Sequence, residues 1–234
     1  MKPFKVGDIV KTNNFGKCVV TSCDKHDKIG LRFLDTGYET ITNAGSLRRK
    51  MVQDPYVRTI YGIGYLGTGK YTPKEHFTVY GRFCNLFQRC YGIAYQRMEP
   101  TYIGCKVHSS FHSFQDFCDW FYNQYGSELK DIQVDKDLYS KGNRIYSSKR
   151  CILLPRVLNL AIRDWDGIGI SIRDKGQKKW CGAFRGQAKV FMFESEAIKW
   201  RAERQREYVG LMVEKYKIHL DPWAIKKLEC RFKL

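Results

Sequence analysis

Several groups of side chains in this chain have the types and spacing to do chemistry. Cys105, His108, His112 and Cys118 supply thiols and imidazoles near the spacing of a tetrahedral zinc site. The same stretch runs into an aromatic helix, so packing competes with metal binding for these residues. Gly64-Tyr65-Leu66-Gly67-Thr68-Gly69-Lys70 places a lysine after glycines, the composition of a phosphate-cradling loop. The spacing is not that of a nucleotide-binding loop and no clear strand precedes it. Backbone contact with a nucleic-acid phosphate is the better expectation, with Lys70 beside it. Cations also gather in three places. They are Arg48, Arg49 and Lys50; then Lys136, Lys141, Arg144, Lys149 and Arg150 around Asn143; then Arg173, Lys175, Lys178, Lys179 and Arg185. Each group could neutralise phosphates, and each could equally be a solvated surface.

The composition favours the first use. In 234 residues there are 41 Lys plus Arg against 24 acidic residues, a formal net charge of +17. No single run accounts for the excess, so it is spread over a folded chain, as on a surface facing a polyanion. Hydrophobic content of 43% and aromatic content of 15% exclude a disordered tail and imply a packed core. No stretch approaches the ~20 apolar residues of a membrane-spanning helix, and Met1 to Asp8 has no apolar signal core. Tyrosines and phenylalanines interleaved with cations suit bases better than lipid. Nine cysteines with no secretion signal read as buried free thiols of a soluble protein in a reducing cytoplasm.

Three groups of elements must position these residues. Val6 to Val10, Lys17 to Thr21, Ile29 to Leu34 and Glu39 to Thr42 read as short strands separated by turns, predicting a small, strongly bent β-barrel over 1–58. Gly62 to His76 reads as a glycine-rich loop. Val79, Phe83, Leu86, Phe87 and Cys90 share one face of a helix over 77–91. A second helix starts near Ser113, with Phe114, Phe117, Trp120 and Phe121 as a core stripe. Three strands are expected over 168–193, then a long helix from about Ser195 to Tyr216. On that helix Ala197, Trp200, Arg204, Tyr208, Leu211 and Met212 form the expected buried stripe. Strand alternation puts Lys179 and Cys181 on one face of the sheet and Trp180 and Gly182 on the other, with either face free to take the helix.

The stretch from Val134 to Pro155 resembles the ββα-metal core of phage HNH endonucleases. Asp135, Gly142-Asn143, Tyr146-Ser147 and Cys151 match its acidic strand residue, Gly-Asn turn, Tyr-Ser corner and Glu-Asn-Cys-like helix start. Upstream, Arg89-Cys90-Tyr91, Tyr102, Cys105-Lys106-Val107 and Phe114 to Trp120 resemble the segments preceding that core. Downstream, Gly169-Ile170-Ser171, Lys179 to Phe184 and Phe193 to Ala197 are similar to the integrase-like DNA-binding domain of the ethylene-response-factor type. Residues 1–60 look like an N-terminal segment of some of these phage proteins, with Phe33-Leu34-Asp35-Thr36-Gly37-Tyr38 the most distinctive stretch. The resemblance implies an α+β chain in three parts. These are the small barrel over 1–58, an HNH-like domain over 62–160, and a three-stranded sheet plus long helix over 165–234.

It also implies one divalent metal and a histidine acting as general base. Here the residue after Asp135 is Lys136, which is protonated near neutral pH and cannot accept a proton. Arg150 stands where an Asn ligand is expected, and its charge repels a metal ion. The resemblance thus implies a degenerate centre with no cofactor, in which Lys136, Lys141, Asn143, Arg144, Lys149 and Arg150 serve a phosphate clamp. The expected partner is structured RNA or a ribonucleoprotein such as the ribosome, or else double-stranded DNA, in the cytoplasm of an infected bacterial host. The rivals are an active Mg²⁺-dependent homing or nicking endonuclease and a protein-interaction adaptor.

Overall fold

The computed structural model describes residues 3–25, 28–164, 169–174 and 178–234, and for Lys25, Arg173, Asp174 and Lys178 the backbone alone. The chain divides into two compact units, Met1–Cys118 and Asp119–Leu234.

The first unit opens with four antiparallel strands, β1 (Ile9–Lys11), β2 (Lys17–Lys25), β3 (Lys28–Phe33) and β4 (Glu39–Thr42), in the spatial order β1-β2-β3-β4. The expected barrel is not closed: β1 and β4 are the two edges of an open sheet. Strands of three and four residues at these edges are short, which limits edge pairing. Register shifts between Val20 and Ser22 and between Cys23 and Lys25 interrupt the β2–β3 ladder, the kind of irregularity that bends a strand. Alternation along β3 buries Ile29, Leu31 and Phe33 against Cys18, Val20, Ala44, Leu47 and Val52. The helix α1 (Ala44–Arg48) contributes Ala44 and Leu47; Asn43 caps it by accepting from the Ser46 amide at 2.8 Å.

The same unit continues with α2 (Phe77–Tyr91), whose buried face is Val79, Phe83, Leu86, Phe87 and Cys90, as the period predicts. Then come α3 (Ile93–Met98), the two-residue strand β5 (Lys106–Val107) and α4 (Phe114–Tyr122), inside which the unit boundary falls. Phe83, Phe87, Phe111, Phe114 and Phe117 form an aromatic core with centroids 5.0 to 5.4 Å apart.

The second unit pairs β6 (Ile132–Asp135) antiparallel with β8 (Ile152–Pro155), with β7 (Ile145–Tyr146) between them in sequence. The helix α5 (Arg156–Ala161) follows directly. One expectation is corrected here. Lys149-Arg150-Cys151 does not start a helix. Ser147 to Cys151 is a turn, with Arg150 and Cys151 both donating to the Ser147 carbonyl. The apolar run Ile152-Leu153-Leu154 pairs as a strand instead, because all of its side chains are buried.

A second, three-stranded sheet runs β11-β10-β9, built from β9 (Ile170–Asp174), β10 (Lys178–Phe184) and β11 (Gln187–Phe191). Asp174 ends β9, and Lys175, Gly176 and Gln177 of the expected turn lie outside the described residues, as does Ile168. The long helix α6 (Glu194–Tyr216) and α7 (Pro222–Phe232) complete the unit. The helix α7 is not anticipated above, although Asp221-Pro222 supplies an N-cap and a first-turn proline.

The buried stripe of α6 is Ala197, Arg201, Gln205, Val209 and Val213. Of the expected residues, only Ala197 is on it; Trp200, Arg204, Tyr208 and Met212 flank it half-buried, and Leu211 is exposed. The apolar pattern misleads because two long polar side chains take the centre of the face. Leu138, Ile152, Leu154, Leu158, Ala161 and Ile162 share one core with Val209, Val213, Leu220, Ala224 and Leu228. The β6–β8 segment and the C-terminal helices are therefore folded on the same apolar centre.

Candidate nucleic-acid interface

Asp135 ends β6 with only 8% of its surface exposed. Its Oδ1 accepts from the backbone amides of Asp137 at 3.0 Å and Leu138 at 2.7 Å, closing a tight turn. Burial pushes its carboxyl above the usual range, against the pull of the Leu138 amide. Lys136 is 9% exposed, and its ammonium meets Asp137 Oδ1 at 2.7 Å. It also lies 5.9 Å from the Tyr146 ring centroid. The charge of Lys136 is thus held inward, beside Asp137, and not presented to a phosphate.

Asn143 is committed as well. Its amide donates to the carbonyls of Lys136 at 2.9 Å and Ile145 at 3.0 Å, while its oxygen accepts from the Ile145 amide at 3.0 Å. It locks the loop between β6 and β7. Cys151 is buried, and burial pushes its thiol up to about 12, so it stays protonated and unreactive near neutral pH.

These residues do not fit the divalent ion that the HNH resemblance implies. One Asp135 oxygen serves two amides, Asp137 is bridged to an ammonium, and the matching Asn position is Arg150. Among the described residues no group of three or more His, Cys, Asp or Glu side chains is arranged to hold a metal. The zinc-like set follows the same pattern: the His112 ring pairs with the Val107 carbonyl at 3.1 Å and His108 with Ser110 at 3.2 Å.

The exposed cations of this segment are Lys141, Arg144, Lys149 and Arg150. Lys141 reaches Asp164 at 2.9 Å; its hydrogen bond, with Arg231 close by, holds that carboxyl below its usual range. Lys149 and Arg150 are the exposed residues of the Ser147–Cys151 turn, whose two ends are buried. From Leu138 to Arg163 the sequence has no acidic residue. Sequence reasoning named the cations but passed over this run.

The same is true from Lys175 to Phe193. A Cβ on Gly182 would lie 2.9 Å from the Ala197 carbonyl oxygen and 3.0 Å from the Trp200 ring, so the helix covers the Gly182 side of the sheet. Trp180 shares that side and is half-buried, with Phe191 opposite it and 6.1 Å from Trp200. Lys179 shares the other side, in register with Arg173. That side also carries Ser171 and the exposed Val190 and Ala188 around Cys181, which is buried at its centre. Arg185 occupies the hairpin turn at φ 48° and stacks over Tyr208 of α6 at 4.2 Å. The side chains of Arg173 and Lys178, and all of Lys175, lie outside the described residues.

In the first unit, Arg49 ends α1 and Lys50 reverses the chain at φ 59°, both exposed, while Arg48 leans over Phe4 at 5.4 Å. Cations at a helix C-terminus also offset its terminal carbonyl charge. Lys70 is exposed beside Tyr71 at 4.8 Å. The glycine loop leading to it is held by Gln115, which donates to the Tyr71 carbonyl at 2.9 Å and accepts from the Tyr71 amide at 3.1 Å. A Cβ at Gly69 would sit 2.3 Å from the Gln115 oxygen, which gives that glycine a packing reason. The distinctive Asp35-Thr36-Gly37-Tyr38 stretch likewise clasps a buried carboxylate: the Thr36 hydroxyl donates to Asp54, whose other oxygen accepts from the Tyr56 amide at 2.8 Å.

Among the described residues no helix is long and apolar enough to cross a membrane. Comparison with models of known families, with curated proteins and with solved structures gives no match for this chain.

Proposed function

We propose that this protein binds structured nucleic acid without cutting it, on a degenerate HNH-type frame of phage origin. The preferred partner is RNA or a ribonucleoprotein such as the ribosome of the bacterial host, with double-stranded DNA second. One observation carries the reading: Lys179 is exposed on the side of the β9–β11 sheet away from α6, and β10 and β11 both lie within an acid-free run from Lys175 to Phe193. Acid-free cationic surface is what a phosphate backbone selects. The Ser147–Cys151 turn with Lys149 and Arg150 adds a second such surface in the same unit. The absence of cleavage is read from Lys136, whose buried ammonium replaces the base and is already paired with Asp137.

Binding of labelled structured RNA and duplex DNA should be measured over a range of salt. A steep salt dependence that flattens by about one unit per lost phosphate contact in a Lys149→Ala/Arg150→Ala variant supports the reading. Binding no tighter than that of an unrelated basic protein would favour an adaptor. Plasmid scission with Mg²⁺ or Mn²⁺, lost in Asp135→Ala, would favour an active nuclease.

A further inference from the structure

Tyr139, in the loop after β6, and Trp223, in the first turn of α7, are stacked with ring centroids 4.2 Å apart and planes 15° from parallel. Each is 38% exposed. This is an unusual place to leave two large aromatic rings. Anchoring of α7 does not require them, because Ala224 and Leu228 are fully buried in the core and Asp221 caps the helix at 2.8 Å. Cations stand close by, with one carboxylate, Asp221, near enough to act on Tyr139. Lys226 and Lys227 are exposed three and four residues beyond Trp223, on the helix face that Trp223 occupies. Tyr139 itself lies at the start of the acid-free run from Leu138, which also carries Lys141, Arg144, Lys149 and Arg150. The nearest carboxylate along α7, Asp221, already accepts from the Trp223 amide.

The geometry points to a stacking platform for an unpaired nucleobase, built from Tyr139 and Trp223, with Lys226 and Lys227 placed for the flanking phosphates. It rests on the nucleic-acid reading above and narrows it to targets with single-stranded or bulged bases. A flat aromatic face accepts any base whose own face is free; in a duplex both faces are covered by neighbours. The pre-formed stack holds each ring in place before the base arrives, so little side-chain freedom is lost on binding. The two lysines lie within one helical turn of the ring, as base and phosphate lie within one nucleotide. Neither Lys226 nor Lys227 belongs to the clamp or the sheet face.

The test uses the full chain and three labelled probes: oligouridylate, oligodeoxythymidylate and a blunt duplex RNA. Tyr139→Leu and Trp223→Leu should each weaken single-strand binding by about tenfold or more and leave duplex binding near its original value. Tyr139→Phe and Trp223→Phe keep a stackable ring and should retain single-strand binding, which separates stacking from misfolding. Binding of either single strand supports the platform, and the stronger one tells ribose from deoxyribose. Equal losses on single strand and duplex, or no loss at all, would overturn it. Wild-type binding to duplex alone would remove the platform while the broader reading survives; binding to none of the three would remove both.

Discussion

The side-chain amide of Gln205 lies 2.7 Å from the carbonyl oxygen of Ala161, so a residue in the middle of α6 closes the end of α5. The last carbonyls of a helix have no partner within it. Gln205 serves one of them, Ala161, together with the Arg163 carbonyl just past the helix end at 3.2 Å, and accepts from Arg201 at 3.1 Å. Arg231 of α7 serves Ile162 at 2.7 Å in the same way. The long helix is thus tied to the β6–β8 segment by polar contacts as well as by the shared core.

Replacing Gln205 with alanine should therefore cost about 2–4 kcal/mol, because buried carbonyls and a buried guanidinium lose a partner together. Urea denaturation measures this. A loss of only a few tenths would mean that water or a neighbour replaces the amide without penalty.

Asp135 gives a pH prediction. Its folded-state pKa is raised by burial, so the folded chain holds that proton more tightly than the unfolded chain. The contribution to stability is fully present below the ordinary carboxyl pKa and is lost as pH rises through the raised value. Asp135→Asn keeps an oxygen for the Asp137 and Leu138 amides and removes the buried charge. Relative to the wild type, the variant should gain stability as pH rises from acid toward neutral. Parallel stability curves for the two proteins over that range would contradict the assignment.

The two sides of the β9–β11 sheet should respond differently to substitution. Lys179→Ala should weaken nucleic-acid binding about uniformly across sequences and lower the salt slope by about one. Trp180→Leu, on the helix side, should cost about 1–3 kcal/mol of stability and leave the salt slope of the folded protein alone. Titrations at several ionic strengths, paired with denaturation curves, read both. A change of slope in the tryptophan variant alone would reverse the assignment of faces.

Much of the architecture was legible along the chain because it depends on period. The helix over 77–91, with its buried face Val79 to Cys90, follows from apolar residues at helical spacing. The order of three strands and a long helix at the C-terminal end follows from alternation and turn residues, and the net charge of +17 follows from composition alone. The site was legible only as a set of residue types. Whether Lys136 faces a phosphate or Asp137, whether Asn143 points outward or locks its own loop, and which side of Trp180 takes the helix depend on groups distant in sequence.

Those choices were made by tertiary structure for a physical reason. A polar side chain buried in a core must find its partner wherever the backbone offers one, and period carries no trace of that. Gln205 sits at the centre of the buried face of α6, where it donates to carbonyls some forty residues earlier, and Arg201 beside it donates to the Gln205 oxygen. The short edges of the N-terminal sheet stay apart for a related reason: alternation predicts strands, but closure of a barrel requires a register between the first and last of them, and only the folded chain fixes that.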